Sequence, residues 1–326
     1  MSHAQNGEDV VLRRALRDVE LGRYVDVGAN HPYEDSISRS FYDAGWRGLT
    51  VEPVARLAAL HRAQRPGDVL FEGVVSGSGA DHVTLHTYPE HGLSTTVDAV
   101  HDLHARGGRV GADVEVAAAG LDALLDGLGW GDEPIHFMTV DTEGAEASVL
   151  ASIDLRRWRP WVLVIESTVP NSAEPSHHVW EPEVLASGYR FCLFDGLSRF
   201  YVAEEHADRL AASLSYPACA LDHFVTWHTV AAQERIASLD VARNQAVQDA
   251  LRWRTASLGR WVDSVLPQSN PEFVAVREER DRLAAEAGGL RGELGERQRQ
   301  YVELQRTLSW RVTRPLRAVR RLRTGR

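Results

Sequence analysis

The sequence has no lysine: all 36 basic residues of the 326-residue chain are arginine. That excludes any mechanism needing a lysine amine. A pyridoxal-phosphate Schiff base is impossible, and so is a P-loop with its phosphate-binding Lys. The chain is rich in Arg, Ala and Gly, as a coding bias leaves it, so the absence need not be a functional choice. Cysteine is scarce as well. Cys192 and Cys219 alone cannot build a disulfide framework or a Cys-rich zinc site. There is no run of about 18 apolar residues, which argues against a membrane span. Residues 1–9 lack the apolar stretch of a secretory signal. With 44% hydrophobic and 25% charged residues, the composition is that of a soluble globular protein, and the expected setting is the cytoplasm.

The charge is unevenly placed. The net value is −10, but residues 1–270 carry −16 and residues 271–326 carry +6. The last 23 residues, 304–326, hold eight Arg and no acid. This change of sign marks a boundary between an acidic body and a basic tail.

Within the body, residues 24–27, 49–52, 69–75, 135–140 and 161–166 read as buried strands: short, apolar and rich in β-branched residues. Residues 34–44, 54–64, 144–153 and 180–187 have helical spacing. Alternation of this kind indicates a parallel sheet covered on both faces. Residues 83–88 and 114–116 are weaker strands. Residues 189–194 and 199–203 flank Asp195-Gly196, a hairpin signal. Residues 226–270 read as a helical linker, broken by the segment from Pro267 to Pro271. Beyond it, Val276, Leu283, Leu290 and Leu304 repeat every seven residues, with Phe273, Ala287, Leu294, Tyr301 and Leu308 in a second seam. Arg280 and Arg297 interrupt the seams, and Gly288, Gly289, Gly292 and Gly295 each cost about 1 kcal/mol of helix propensity, so the expectation is a weak coiled coil.

The sharpest motif is Tyr24-Val-Asp-Val-Gly-Ala-Asn30, a strand ending in Asp-x-Gly-x-Asn ahead of a helix. In open α/β sheets ligands bind beyond the carboxyl ends of the strands. Gly28 lets the backbone approach a ligand closely, while Asp26 and Asn30 offer a carboxylate and an amide. Glu52 ends the second strand, where a carboxylate can accept hydrogen bonds from both hydroxyls of a ribose. A dinucleotide site wants Gly-x-Gly-x-x-Gly. The stretch Gly28-Ala-Asn30-His-Pro-Tyr33 lacks two of those glycines, and an acid precedes the first. That weakens NAD and favours a nucleotide-like cofactor with a cationic end and no pyrophosphate, namely S-adenosylmethionine. A third motif, Val140-Asp-Thr-Glu-Gly-Ala-Glu146, brings Asp141 and Glu143 to the same sheet edge, and Glu166 closes the next strand there. Crowded acids can raise one pKa to make a general base, or can bind a cation. Glu146 is expected on the outer face of its helix, satisfying the dipole. His177 sits in a polar loop placed to overhang the cleft. His101 and His104 have i,i+3 spacing but no evident third ligand. They are expected on a surface helix, and no metal ligand is assigned.

Taken together these residues resemble the FkbM-type methyltransferases, a class I family dependent on S-adenosylmethionine. The resemblance runs from about Ala4 to Phe224. It rests on Gln5-Asn-Gly-Glu-Asp9, the Tyr24–Asn30 motif, Phe41-Tyr-Asp-Ala-Gly-Trp46, Val51-Glu-Pro53, Gly92-Leu-Ser-Thr95, the Val140–Glu146 motif, Trp180-Glu-Pro182 and Phe194-Asp-Gly-Leu-Ser-Arg-Phe-Tyr201. It implies a Rossmann-like α/β fold over residues 1–225, mostly parallel with an antiparallel hairpin at its end, followed by a helical and coiled-coil tail. It also implies methyl transfer to oxygen, often a sugar hydroxyl in glycan or secondary-metabolite assembly. One position departs: the family usually carries Lys before the Asp, and here Thr139 stands instead.

The site expected is therefore Asp26, Gly28 and Asn30 around the methionine end of S-adenosylmethionine, with Ser36 meeting its carboxylate and Glu52 on the ribose. Asp141 or His177 is the base, and Glu143 and Glu166 arrange the site. Two other classes stay open: an inactive methyltransferase-like scaffold acting through its coiled coil, and an NAD-dependent sugar-modifying enzyme. The Arg-rich stretch from Ser309 suits an anionic membrane surface, such as the inner face of the membrane, and resembles tails of bacterial surface-glycan enzymes. Nucleic acid is not expected, given the acidic body and no matching fold motif.

Overall fold

Buried parallel strands are apolar on both faces, and the chain supplies several in a row. The protein is seen here as a computed structural model describing residues 1–89, 92–130, 133–265 and 271–306. The chain divides into two compact units, Met1–Ala237 and Ser238–Arg326.

In the first unit, α1 (Glu8–Ala15) leads into β1 (Arg23–Val27), α2 (Arg39–Asp43), β2 (Arg47–Val51), α3 (Ala55–Gln64) and β3 (Val69–Phe71). Then come β4 (Val74–Val75), β5 (His82–Thr87), α4 (Asp98–Arg106) and β6 (Ala112–Ala119). The remainder is α5 (Leu121–Gly127), β7 (Phe137–Val140), α6 (Glu146–Leu150), β8 (Val162–Glu166), α7 (Glu181–Ala186), β9 (Tyr189–Phe194), β10 (Ser198–Ala203) and α8 (Ala207–Leu214). A seven-stranded sheet has the order β3-β2-β1-β7-β8-β10-β9. Its first five strands are parallel, and β10 runs antiparallel to both β8 and β9. A separate three-stranded sheet has the order β4-β6-β5. This is the mixed α/β, Rossmann-like architecture expected from the sequence, with its closing hairpin turned at Asp195-Gly196.

Alternate residues of β1 point to opposite faces. Val25 and Val27 enter one apolar cluster with Leu49, Val51 and Val140. Tyr24 enters the other with Phe41, Trp46 and Phe137. Asp26 therefore lies on the Tyr24 side of a strand otherwise apolar on both faces, a placement that needs polar partners.

Four expectations are corrected in detail. The helix expected over 34–44 begins only at Arg39, because Asp35 takes a left-handed φ of +52° and residues 36–38 form a loop. The strand expected over 69–75 splits at Gly73. A side chain there would meet the Ala117 carbonyl at 2.5 Å, so the chain leaves β2 and joins β6. The strand expected over 114–116 runs the full length of β6, because β5 pairs with it along Thr87↔Ala112 to His82↔Ala117. The helix expected over 144–153 shortens to α6, since Glu143 and Gly144 both have positive φ.

The second unit holds most of α9 (Trp227–Val265) and all of α10 (Pro271–Arg306). Asp263 of α9 pairs with Arg277 and Arg280 of α10 at 3.7 and 3.5 Å. The described seam residues Val276, Leu283, Leu290 and Leu294 are exposed. Residues 267–270 of the Pro267–Pro271 breaker, Leu308 and the Arg-rich stretch from Ser309 lie outside the described residues. Among those described, no helix is long and apolar enough to cross a membrane.

Candidate active site

Four parallel strands end at one edge of the sheet, and their last residues line a cavity of about 550 Å³. Asp26, Gly28 and Asn30 come from the end of β1, Glu52 from β2, Thr139, Asp141 and Glu143 from β7, and Glu166 from β8. The sequence thus places eight of its nine expected site residues on this cavity, the eighth being Ser36 from the loop before α2. His177 is not among the lining residues. Its Nε2 lies 3.6 Å from Glu181, one helical turn on, and its ring packs on His178. The overhang is made instead by Asn171, Ser172 and Ala173.

The crossing of the three strand ends explains Gly28. It has φ +82°, and a Cβ built on it would sit 1.7 Å from the Asp141 carbonyl oxygen. No other residue type fits. The amides of Gly28 and Ala29 both donate to the Val51 carbonyl, at 3.1 and 2.9 Å, and the Asp141 amide donates to Val27 at 3.0 Å. Asn30 follows at φ +49° with its side-chain Oδ1 buried and unpaired, and its carbonyl accepts from the neutral ring of His61 at 2.9 Å. Glu52 is 3% exposed; its Oε1 accepts the Val54 amide at 2.7 Å, and the Asn30 amide also donates to the carboxylate. Burial pushes its carboxyl up to about 7, with the Asp26 charge adding to the rise.

Behind Asp26 lies a buried network the sequence did not disclose. Thr139 Oγ1 donates to Asp26 at 2.7 Å, and Ser38 donates to the other carboxylate oxygen. Arg65, which caps α3, has a fully buried guanidinium. It donates to Ser38 and Ser36 at 2.8 Å each and lies 3.9 Å from Asp68. Asp68 in turn accepts from Tyr24 at 2.7 Å and the Gly48 amide at 2.9 Å. The order of donation decides what Ser36 can do. Its oxygen accepts from Arg65, so its proton is free to be donated, into a cavity it lines, with a cation directly behind it. Such an arrangement can receive an anion such as a carboxylate.

At the other end the titratable groups are all acids. Asp141 and Glu166 are hydrogen-bonded side chain to side chain, with Glu143 and Glu146 close by. Burial raises the pKa of Asp141, Glu143 and Glu166, and mutual repulsion adds to it, displacing Glu166 furthest and Asp141 least. A hydrogen bond between two carboxyls needs one proton shared between them, and the second Glu166 oxygen is buried and unpaired. Glu146 is not on an outer face as expected. It is 2% exposed, and its Oε1 accepts from the amides of Thr142 and Gly144 and from the Thr142 hydroxyl, each at 3.0 Å. It therefore shapes the loop that presents Asp141 and Glu143.

Two further segments complete the walls. The N-terminal segment is tied by Ser2 and His3 to Asp9, which sets Gln5 on the cavity. Asn6 donates to the Asp195 carbonyl at the hairpin turn at 3.1 Å. Thr95 donates to the Glu143 carbonyl at 2.9 Å and fixes the 92–96 loop opposite. The helix carrying His101 and His104 is not a plain surface helix: His104 is buried against Tyr88 and His101 is half-buried.

The cavity joins a serine backed by Arg65 to a cluster of buried acids at the carboxyl edge of a parallel sheet. No curated protein matches the chain. The family model described as Methyltransferase FkbM domain matches residues 26–191, which is just over half of the chain and includes the expected site residues from Asp26 through His177. The chain belongs to the FkbM methyltransferase family.

Proposed function

We propose that this methyltransferase uses S-adenosylmethionine to methylate a hydroxyl of a sugar or glycan, or of a related secondary-metabolite acceptor. The single observation that carries the reading is the polarity of the cavity: a donor backed by Arg65 at one end, a ribose-competent carboxylate at Glu52, and an acidic wall at the other end. The volume is within the roughly 300–1,000 Å³ usual for small-molecule sites. The buried, unpaired Asn30 Oδ1 is an unmet polar group that such a cofactor fits, and the Ser36 hydroxyl, which accepts from Arg65, keeps a proton to donate.

When bound, the cofactor supplies an electrophilic methyl group on a positively charged sulfur. Ser36, with Arg65 behind it, holds the amino-acid carboxylate, and Glu52 accepts from the ribose hydroxyls. The carboxylates of the β1 and β7 ends favour the positive charge. Asp141 accepts the proton of the acceptor hydroxyl, and Glu166, hydrogen-bonded to it, holds Asp141 in place. Much of the rate comes from fixing the hydroxyl oxygen in line, which the 92–96 and 171–173 segments do by closing the acceptor side. Sugars match that wall because carboxylates are natural acceptors for several adjacent hydroxyls.

Calorimetry with S-adenosylmethionine tests the cofactor half. The wild type binds, and Glu52→Ala loses most of the affinity; no binding, or equal binding by the variant, overturns the reading. For the base, Asp141→Asn is expected to bind the cofactor yet lose turnover, and full turnover excludes Asp141. The exposed α10 seam supports self-association, checked by analytical ultracentrifugation of Leu283→Asp. The Arg-rich residues 304–326 support contact with an anionic membrane surface. Equal liposome pelleting without them ends that idea.

A further inference from the structure

We propose a transition-metal site, of the zinc class, built from His86, His101 and Asp113 on the three-stranded sheet and α4, outside the methyl-transfer cavity. The sequence hides it, because its ligands come from three elements with no motif spacing. The fold assembles it through register. His86 on β5 and Asp113 on β6 are direct cross-strand partners in an antiparallel pair, so their side chains share a face. On that face α4 packs and contributes His101. One ligand atom from each of the three residues lies within 4.8 Å of the other two.

The donor chemistry and the spacing both suit such an ion. Two imidazoles with a carboxylate select zinc and its neighbours over magnesium or calcium, which prefer oxygen alone. Bonds of about 2.0–2.1 Å in a tetrahedral shell set ligand atoms roughly 3.3 Å apart. His86 Nδ1 and Asp113 Oδ1 stand 2.8 Å apart and the His101 nitrogen lies within 4.8 Å of both, so an ion enters by spreading the first pair about half an ångström and drawing His101 in by up to about 1.5 Å. The outer partners are also in place. Asp98, one turn before His101 on α4, lies 3.1 Å from His86 Nε2, and the Tyr88 hydroxyl lies 2.9 Å from His101 Nδ1. A carboxylate on the distal nitrogen of a ligating histidine fixes its tautomer and strengthens it as a ligand. Three protein ligands leave a fourth position for water.

The ion ties α4 to the sheet and thereby braces the cavity wall. The backbone of His86 exchanges two hydrogen bonds with Thr95, at 2.9 and 3.1 Å, and Thr95 holds the Glu143 carbonyl. Val100 of α4 sits 3.1 Å from where a Cβ on Gly144 would be, so α4 also backs the catalytic loop.

The experiment uses untagged full-length protein, stripped with chelator and titrated with Co(II) and then Zn(II). The expected result is one equivalent of Co(II) with visible d–d absorption of a four-coordinate ion, bleached by Zn(II). His101→Gln and Asp113→Asn are expected to lose that absorption while keeping the wild-type circular dichroism. Asp98→Asn is expected to weaken binding about tenfold. Glu166→Gln, which alters the acidic wall of the cavity, is expected to keep the spectrum. No stoichiometric binding by the wild type overturns the proposal and leaves His86 as the centre of a plain ion triad with Asp98 and Asp113. Unchanged binding in both His101→Gln and Asp113→Asn overturns it as well, and loss of the spectrum in Glu166→Gln relocates the ion to the cavity. Because the readout is metal binding, it is independent of whether the methyl donor has been assigned correctly.

Discussion

Ligand affinity at the Glu52 end of the cavity should depend on pH in a direction fixed by burial. The Glu52 carboxyl has an ordinary value of 4.5 and is raised to about 7, so it is largely protonated in the free protein at pH 6 and ionised at pH 8. Two consequences follow with opposite signs. For folding, ionising a buried acid is unfavourable. Stability is highest below about pH 4.5 and falls as pH rises toward 7, by about 1.4 kcal/mol per unit, or roughly 3.4 kcal/mol across the window. For binding, ribose hydroxyls donate to the ionised form, so the ligand has to displace the proton when pH lies below 7. Affinity should therefore drop about tenfold per unit below 7 and level off above it, giving a difference of roughly 30-fold between about pH 5.5 and pH 8. Calorimetry with S-adenosylhomocysteine in two buffers of different ionisation enthalpy reads this directly. Wild type should release close to one proton on binding at pH 6 and almost none at pH 8. The Glu52→Gln variant should bind weakly with no such release attributable to this position. Equal affinity at both pH values, or the same proton release in the variant, refutes the assignment of Glu52 to the hydroxyls.

Gly28→Ala should lose well over 2 kcal/mol of stability and all turnover, because its φ of +82° penalises any Cβ and the new methyl would overlap the Asp141 carbonyl; urea melts and a turnover assay check it. Glu8 is buried and raised to about 8, first by burial and then by the Asp195 charge, so it destabilises the fold progressively from about pH 4.5 to 8, by up to roughly 4–5 kcal/mol. Glu8→Gln keeps an acceptor for the Asn6 amide and should raise the denaturation midpoint at pH 9 while leaving it nearly unchanged at pH 4. Arg65→Met strands Asp68 and two buried serines without their cation and should cost about 3–5 kcal/mol, seen as a lower thermal midpoint.

The ends of the strands were legible because buried parallel strands announce themselves as apolar runs, and an acid that closes such a run has few structural uses. Asp26, Glu52, Asp141 and Glu166 were found this way. What the sequence concealed were residues whose role depends on a neighbour's backbone. Arg65 carries no sequence signal, and it is the 36–38 loop folded over it that engages its guanidinium. Glu146 reads as an acid satisfying a helix dipole. It is the paired left-handed geometry of Glu143 and Gly144 that aims two amides and a hydroxyl at its carboxylate. His177 is expected over the cleft from its polar loop after the Glu166 strand, but its ring lies beside Glu181, four residues later, and off the cavity lining. His86, His101 and Asp113 have no spacing to notice, since a strand register joins the first to the last and α4 brings His101 to them.

The absence of lysine acquires its meaning at Thr139. This residue is paired with Asp26 across the β1–β7 ladder, and its hydroxyl occupies one carboxylate oxygen without cancelling the charge. An amine at that place would neutralise Asp26 and, through it, part of the field acting on Asp141, whose pKa the Asp26 charge helps to raise. Neutral Thr139 leaves that field standing. The buried cation of the network, Arg65, is turned toward Ser36, Ser38 and Asp68, so its compensation goes to the anion-receiving end of the cavity. The gradient from Arg65 to the Asp141–Glu166 pair is therefore steeper than a lysine-bearing strand would give. On the proposed function, a ligand with a carboxylate at one end and a positive charge further along would be aligned by it before any contact with the reacting oxygen is made.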